Sequence, residues 1–229
     1  HYPYIKVCHM PDLNFETARK QMVESQLRTW EVYDPQVLDL MQRAPREDFV
    51  PAAYRNLAYA DLNIPLSQGQ VMMLPKMEAR LLQALDVQPT DKILEVGTGS
   101  GYLTWLLANL GRQVISVEID PTLSAQAEKS LAAHGIKNAT LEVGDAARGW
   151  DKHAPYDVIL ITGSLPLFPA ACQNSLAVGG RLVAVVGASP AMDVWLVRRT
   201  AENSYTRETL FETDLPPLTN APAAAGFVF

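Results

Sequence analysis

Two cysteines, Cys8 and Cys172, are too few for a disulfide framework. Basic residues are also scarce: 19 Lys and Arg stand singly among 25 Asp and Glu, for a formal charge of −6. No stripe of cations is available to neutralise phosphates, which excludes nucleic acid as a partner. No run approaches the ~18 apolar residues of a membrane span, and no charged-then-apolar leader opens the chain, so it reads as cytoplasmic with no membrane contact. The first ten residues, "HYPYIKVCHM", have no periodicity and read as a cloning remnant ahead of a start at Met10. Setting them aside removes His1, His9 and Cys8, and His134 and His153 have no ligand-type partners at close spacing, so no metal site is expected.

Apolar residues are plentiful, at 48%, enough for one large domain with a sizeable core. Phe15, Ala18, Met22, Val23, Leu27 and Trp30 recur at helical spacing, and "DPQVLDLMQRAP" opens with Asp34 as N-cap and Pro35 at the first helical position. Residues 14–44 therefore read as two helices. The following "REDFVPAAYRNLAYADLNIPLSQGQVMMLP" is longer than idle connections run, which predicts a segment covering a site. After a helix marked by Met77, Leu81, Leu82 and Leu85, strand and helix patterns alternate. The strands are "KILEVG", "QVISVEI", "ATLEVGD", "YDVILITG" and "GRLVAVVG"; the helices begin at Tyr102, run near Leu123 to His134, and lie around Pro169 to Leu176. Strands apolar on both faces predict an α/β fold with a doubly wound, mostly parallel sheet. "DVWLVRRT" and "RETLFETDL", joined by a polar turn at Asn203 and Ser204, predict an antiparallel hairpin at its edge. The expected organisation is a remnant at 1–10, a helical cap with the site loop at 11–75, the α/β domain at 76–215 and an Ala/Pro-rich tail at 216–229.

The turn Gly97-Thr98-Gly99-Ser100-Gly101 carries the chemistry. It joins a strand to a helix, exposing backbone N–H groups at the carboxyl edge of the sheet, where open α/β sheets bind ligands. The dinucleotide pattern is G-x-G-x-x-G; here the spacing is G-x-G-x-G, with Glu95 two residues before the first glycine. A carboxylate opposes pyrophosphate but suits an amino group, while the helix N-terminus suits a carboxylate, so a zwitterionic amino acid fits both ends. Glu118 ends the next strand, where it can accept both hydroxyls of a ribose, and Asp145 ends the third, placed for an exocyclic amine of adenine. Amino acid, ribose and adenine together make S-adenosylmethionine. Taken singly, each acid is equally a solvated turn residue or helix cap, and dinucleotide binding is the competing reading.

"PREDFVP", "QGQ" with "PKMEARLLQAL", "ILEVGTGSGYLT", "VEI", "GDAARGW", "APYDVILITGS" and "GGRLVAVVG" follow in the order of the protein-L-isoaspartate O-methyltransferases, which this chain resembles from Gln21 to about Gly187 and again in "PPLT" near Leu218. The resemblance implies a Rossmann-like class I methyltransferase that uses S-adenosylmethionine, releases S-adenosylhomocysteine, and esterifies the carboxylate of isoaspartate in damaged proteins. The ester favours cyclisation to a succinimide that reopens to aspartate. Glu95, the turn Gly97, Thr98, Gly99, Ser100 and Gly101, Glu118, Ile119, Asp145 and Ala146 would hold the cofactor, with Met73, Glu78 and Thr219 closing over it. Val71, Met72, Leu215 and Pro217 would face the acceptor.

The family's Thr-Ile-Ser reads Val71-Met72-Met73 here, so its essential serine aligns with Met73 and no catalytic residue is named. Met72 is equally explained as core packing, whereas the resemblance places Met73 beside the sulfonium and weighs against that reading. The family's peptide-clamping strand becomes Asp214 to Leu218, in which Pro216 has no N–H to donate to a peptide alongside. A carboxylate acceptor is ionised well below neutral pH and needs no general base, so loss of the serine leaves the reaction possible. The expected partner is an isoaspartyl protein or peptide. The alternatives are a small-molecule or different peptidic acceptor, or a non-catalytic cofactor-binding module.

Overall fold

The computed structural model describes residues 14–223; the expected remnant at 1–10 and residues 224–229 of the tail lie outside them. Asn14 and Asp34 cap helices α1 (Phe15–Met22) and α2 (Pro35–Arg43), each accepting first-turn backbone N–H groups. The first helix is not α-helical throughout. It widens into a π-helical turn over Val23–Leu27 and tightens into a 3-10 turn over Arg28–Trp30, ending at Glu31 in the left-handed region. The π turn keeps Met22, Val23 and Leu27 all pointing into the core.

The long connection contains 3-10 turns at Arg46–Asp48, Ala52–Leu57 and Ser67–Gly69 and a short antiparallel pair, β1 (Ile64–Pro65) with β2 (Val71–Met72). Then follow α3 (Pro75–Leu85), β3 (Lys92–Val96), α4 (Tyr102–Leu110), β4 (Gln113–Glu118), α5 (Pro121–Ala133), β5 (Ala139–Val143), β6 (Tyr156–Leu165), α6 (Ala170–Asn174), β7 (Leu176–Ala188), β8 (Ala191–Ala201) and β9 (Ser204–Thr213). The seven-stranded sheet has the order β5-β4-β3-β6-β7-β8-β9. It is parallel through β7, and β8 and β9 extend it antiparallel. The expected edge hairpin is β8–β9, closed by Glu202 and Asn203 between the paired Ala201 and Ser204.

Period-2 alternation divides the core. Ile93, Val114, Val158, Leu160, Val183 and Val185 point to the face covered by the N-terminal cap, α3 and α4. Leu94, Val96, Ile115, Val117, Ile159, Ile161, Leu182 and Ala184 point to the other. That second face is thinly helical. Helix α6 is only five residues long, framed by Pro169 and Ser175, and Gly149 (φ 103) and Pro155 interrupt the β5–β6 connection. Trp150, Phe168, Leu218 and Ala221 cover the face in place of helices. Chain direction reverses between β3, which leads outward to β4, and β6, which leads to β7, so the carboxyl ends of β3 and β6 flank a crevice.

Candidate active site

That crevice is a cleft enclosing about 910 Å³ including its open mouth. Its floor is the glycine turn. Gly97, Gly99 and Gly101 have φ of 95, 55 and 88°, backbone that side chains strain against. At Gly97 a Cβ would also collide with the Thr162 hydroxyl, which reaches the carbonyls of Val96 and Gly97 at 2.9 and 2.8 Å. Thr162 thereby ties β6 to the turn.

Of the residues expected to hold the cofactor, Gly97, Thr98, Gly99, Ser100, Glu118, Ile119, Asp145, Ala146, Met73, Glu78 and Thr219 all line this one cleft, as do Val71 and Met72 from the acceptor side. Glu95, Gly101, Leu215 and Pro217 do not. Gly101 caps α4 against Ala127, Leu215 is buried, and Pro217 lies on the outer edge of the tail.

Glu95 lies beneath the floor, fully buried. Its Oε1 accepts the Thr104 and Ser116 hydroxyls at 2.5 and 2.6 Å, and because Ser116 donates to Glu95, Thr98 must donate to Ser116, 2.5 Å away. Its Oε2 has no hydrogen-bond partner. Burial, only partly offset by these hydroxyls and reinforced by the charges of Glu118 and Glu78, pushes the Glu95 carboxyl up to about 8. Glu118 has a structural duty of its own: Oε2 accepts the Gly99 N–H at 2.8 Å and Oε1 the Asp120 N–H at 3.1 Å. A carboxylate offers about four lone-pair sites, so both oxygens can still accept from a ligand. Asp145 is exposed, with Oδ1 on the Ala147 N–H.

The roof comes from two directions. Leu66 to Met73 of the cap loop meets the tail where the Gln70 amide donates to the Pro217 carbonyl at 3.4 Å, and Ser67 bridges to Asp120 at 3.2 Å. The tail is pinned to the end of β6: Ser164 N–H donates to Pro216 O, Leu218 N–H donates to Ser164 O, and the Ser164 hydroxyl donates to Leu215 O.

Sequence reasoning missed Arg46, buried and bonded to Glu78; Tyr102, Leu103 and Leu218, which line the cleft; and Thr162 and Asp120, which tie its floor and rim. Arg46 lay within the quoted "PREDFVP", and Asp120 was legible as the N-cap before Pro121; a lone strand threonine such as Thr162 carries no such signal.

The protein-L-isoaspartate(D-aspartate) O-methyltransferase profile matches residues 17–222. The chain belongs to this family. It is 44% identical over 177 residues to the protein-L-isoaspartate O-methyltransferase of Synechococcus sp. (strain JA-2-3B'a(2-13)), covering 77% of this chain and 72% of that one. With protein-L-isoaspartate O-methyltransferase 2 of Pelobacter propionicus it shares 39% over 209 residues, 91% of this chain and 93% of the relative. Among solved structures, a Plasmodium falciparum protein described as a protein-L-isoaspartate O-methyltransferase in complex with S-adenosyl-L-homocysteine superimposes with a TM-score of 0.74 at 20% identity, covering 88% of this chain and 98% of that one. That likeness concerns the fold. The methyltransferase family match encloses the helical cap, the sheet and the tail pinned to β6, so every wall of the cleft lies inside it.

Proposed function

We propose that this protein is a repair methyltransferase that moves a methyl group from S-adenosylmethionine to the carboxylate of isoaspartyl residues in proteins, acting in the cytoplasm. The observation that carries the cofactor part is the convergence of acids at one end of the cleft. Glu78 and Glu118 line it, and Glu95 lies beneath with an orphaned, buried oxygen, each close enough to Glu95 to raise its affinity for a proton. Three acids gathered around one buried cation, Arg46 on Glu78, leave negative charge in excess, and an ammonium beside the glycine turn offsets it. The turn's backbone N–H groups suit a carboxylate, Glu118 retains lone pairs for ribose hydroxyls, and Asp145 and Ala146 form the wall for the base. Bound there, the cofactor supplies an electrophilic methyl group on a sulfonium.

The chain's own residues align the partners and exclude water. Met72 and Met73, 5 and 4% exposed, and half-buried Val71 form an apolar wall at the acceptor end. An acceptor carboxylate needs no base, and in well-oriented systems ~7 to 11 kcal/mol of a barrier comes from alignment alone. The same wall, with Pro217 lacking an N–H, favours a second reading, in which the acceptor is another small or peptidic molecule. Turnover to S-adenosylhomocysteine with an isoaspartyl peptide, its aspartyl isomer and no acceptor separates the two. Turnover with the isoaspartyl peptide alone supports repair, none with either peptide favours the second reading, and cofactor binding with no turnover on any acceptor offered supports a non-catalytic module.

A further inference from the structure

We propose that Arg46 is a positioning residue for this cleft: it fixes the Glu78 carboxylate and the Met73 carbonyl in one arrangement, so that Glu78 presents its second oxygen to the ammonium of the bound cofactor. The inference rests on the cofactor reading above.

Arg46 is fully buried and does not line the cleft. Its guanidinium holds three segments together: Nε donates to Ala58 O at 2.7 Å, one terminal nitrogen donates to Glu78 Oε1, and the other donates to Met73 O at 2.8 Å. Its plane lies over the Tyr102 ring, 4.6 Å from the centroid. Arginine and carboxylate commonly pair through two parallel bonds, which uses both carboxylate oxygens. Here the second terminal nitrogen goes to the Met73 carbonyl instead. Glu78 Oε2 is left with no hydrogen bond among the described residues, on a side chain that lines the cleft. An ion pair with no duty but cohesion gains nothing from that asymmetry.

The charged and titratable groups facing Glu78 are Arg46 from the 3-10 turn, Tyr102 from α4 and Glu95 from β3. Burial raises the Glu78 carboxyl and Arg46 opposes it, leaving it at about 7. Without Arg46, burial acts unopposed and Glu78 holds its proton to higher pH.

The test is calorimetric titration of S-adenosylhomocysteine from pH 6 to pH 8.5, with melting temperatures, on wild type, Arg46→Met, Glu78→Gln and the double variant. Glu78→Gln should weaken binding about tenfold or more and remove the part of its pH dependence centred near pH 7, leaving that of Glu95 near pH 8. Arg46→Met should weaken binding similarly at pH 7 and move the pH midpoint upward. Since removing both partners of a buried pair costs far less than removing one, the double variant should regain most of the lost melting temperature without regaining affinity. Wild-type affinity and midpoint in Arg46→Met, wild-type binding by Glu78→Gln, or a double variant that regains both quantities would overturn the proposal. If Arg46→Met does not fold, Arg46→Lys decides: it keeps the charge but cannot span both acceptors, so it should lose affinity several-fold, and undiminished affinity refutes the role. A wild type that binds no S-adenosylhomocysteine overturns the cofactor reading, and this inference with it.

Discussion

Glu95→Gln isolates the buried acid beneath the glycine turn. Gln retains the carbonyl oxygen that accepts from Thr104 and Ser116, and puts an NH2 where the orphaned Oε2 lies. It therefore mimics the protonated acid and cannot ionise. In the folded protein the Glu95 carboxyl sits at about 8, against 4.5 for the free group. The folded state thus keeps a proton that the unfolded chain has released, and stability falls as pH rises between those values and levels off above the higher one. One proton's difference amounts to about 1.4 kcal/mol per pH unit, so from pH 6 to pH 8, with Glu95 half-titrated at the end, wild type should lose about 2 kcal/mol more than Glu95→Gln. For a chain of this size that is roughly 4 to 8 °C in melting temperature. Glu78, pushed up to about 7, adds a slope of the same sign to both proteins and cancels in the comparison. Differential scanning calorimetry at the two pH values measures the difference. Parallel pH dependences in the two proteins would refute the claim that Glu95 is folded in its protonated form.

Glu118→Ala should weaken S-adenosylhomocysteine binding on the order of 2 to 4 kcal/mol by calorimetric titration. It should also lower the melting temperature of the free protein, because the Gly99 and Asp120 amides lose their acceptor; an unchanged melting temperature contradicts that tie. S-adenosylhomocysteine should raise the melting temperature and NAD should not, and stabilisation by NAD alone would sink the cofactor reading. Met73→Ser should raise turnover on an isoaspartyl peptide by returning a polar partner to the acceptor, in kcat rather than KM if the contact forms only in the transition state. It should lower the melting temperature, since Met73 packs in the core; steady-state rates check the first, and robust wild-type activity that falls in the variant would refute this account of the loop.

The sheet was legible because β3, β4, β6 and β7 are buried on both faces, which forces apolar runs that nothing but a covered strand explains. The helix start at Asp34 was legible because an N-cap acid precedes proline; the same signal at Asp120-Pro121 went unread, and that helix starts two residues before the expected Leu123. The π turn at Val23–Leu27 was not, since it preserves the same buried residues that a straight α-helix would. The thin helical cover of the second face was illegible because Trp150, Phe168 and Leu218 reach it from connections without periodicity. In the site, strand position brought Glu118 and Asp145 to the cleft, but alternation sends Glu95 to the opposite face from Val96, under the floor instead of into it. Arg46 was hidden for another reason: its partners come from Ala58, Met73 and Glu78, and nothing local marks a charge as buried.

The two tail prolines show how far a residue-level argument carries without register. Expecting Pro216 to spoil a peptide clamp assumed that its amide would face the substrate. In the structure the ladder to β6 is made by the Pro216 carbonyl and the Leu218 N–H, both directed at Ser164, with Pro217 between them. An amide at position 216 would therefore point toward β6, and its loss removes nothing from a peptide on the outer side. The outward position is Pro217. Its carbonyl already receives the Gln70 amide, and it has no N–H to offer. A peptide laid along the tail thus meets no donor at that point, and shares the Pro217 carbonyl with Gln70. Any effect of the tail prolines on a peptide laid there would therefore act through Pro217, and would be coupled to the cap loop that forms the other half of the roof.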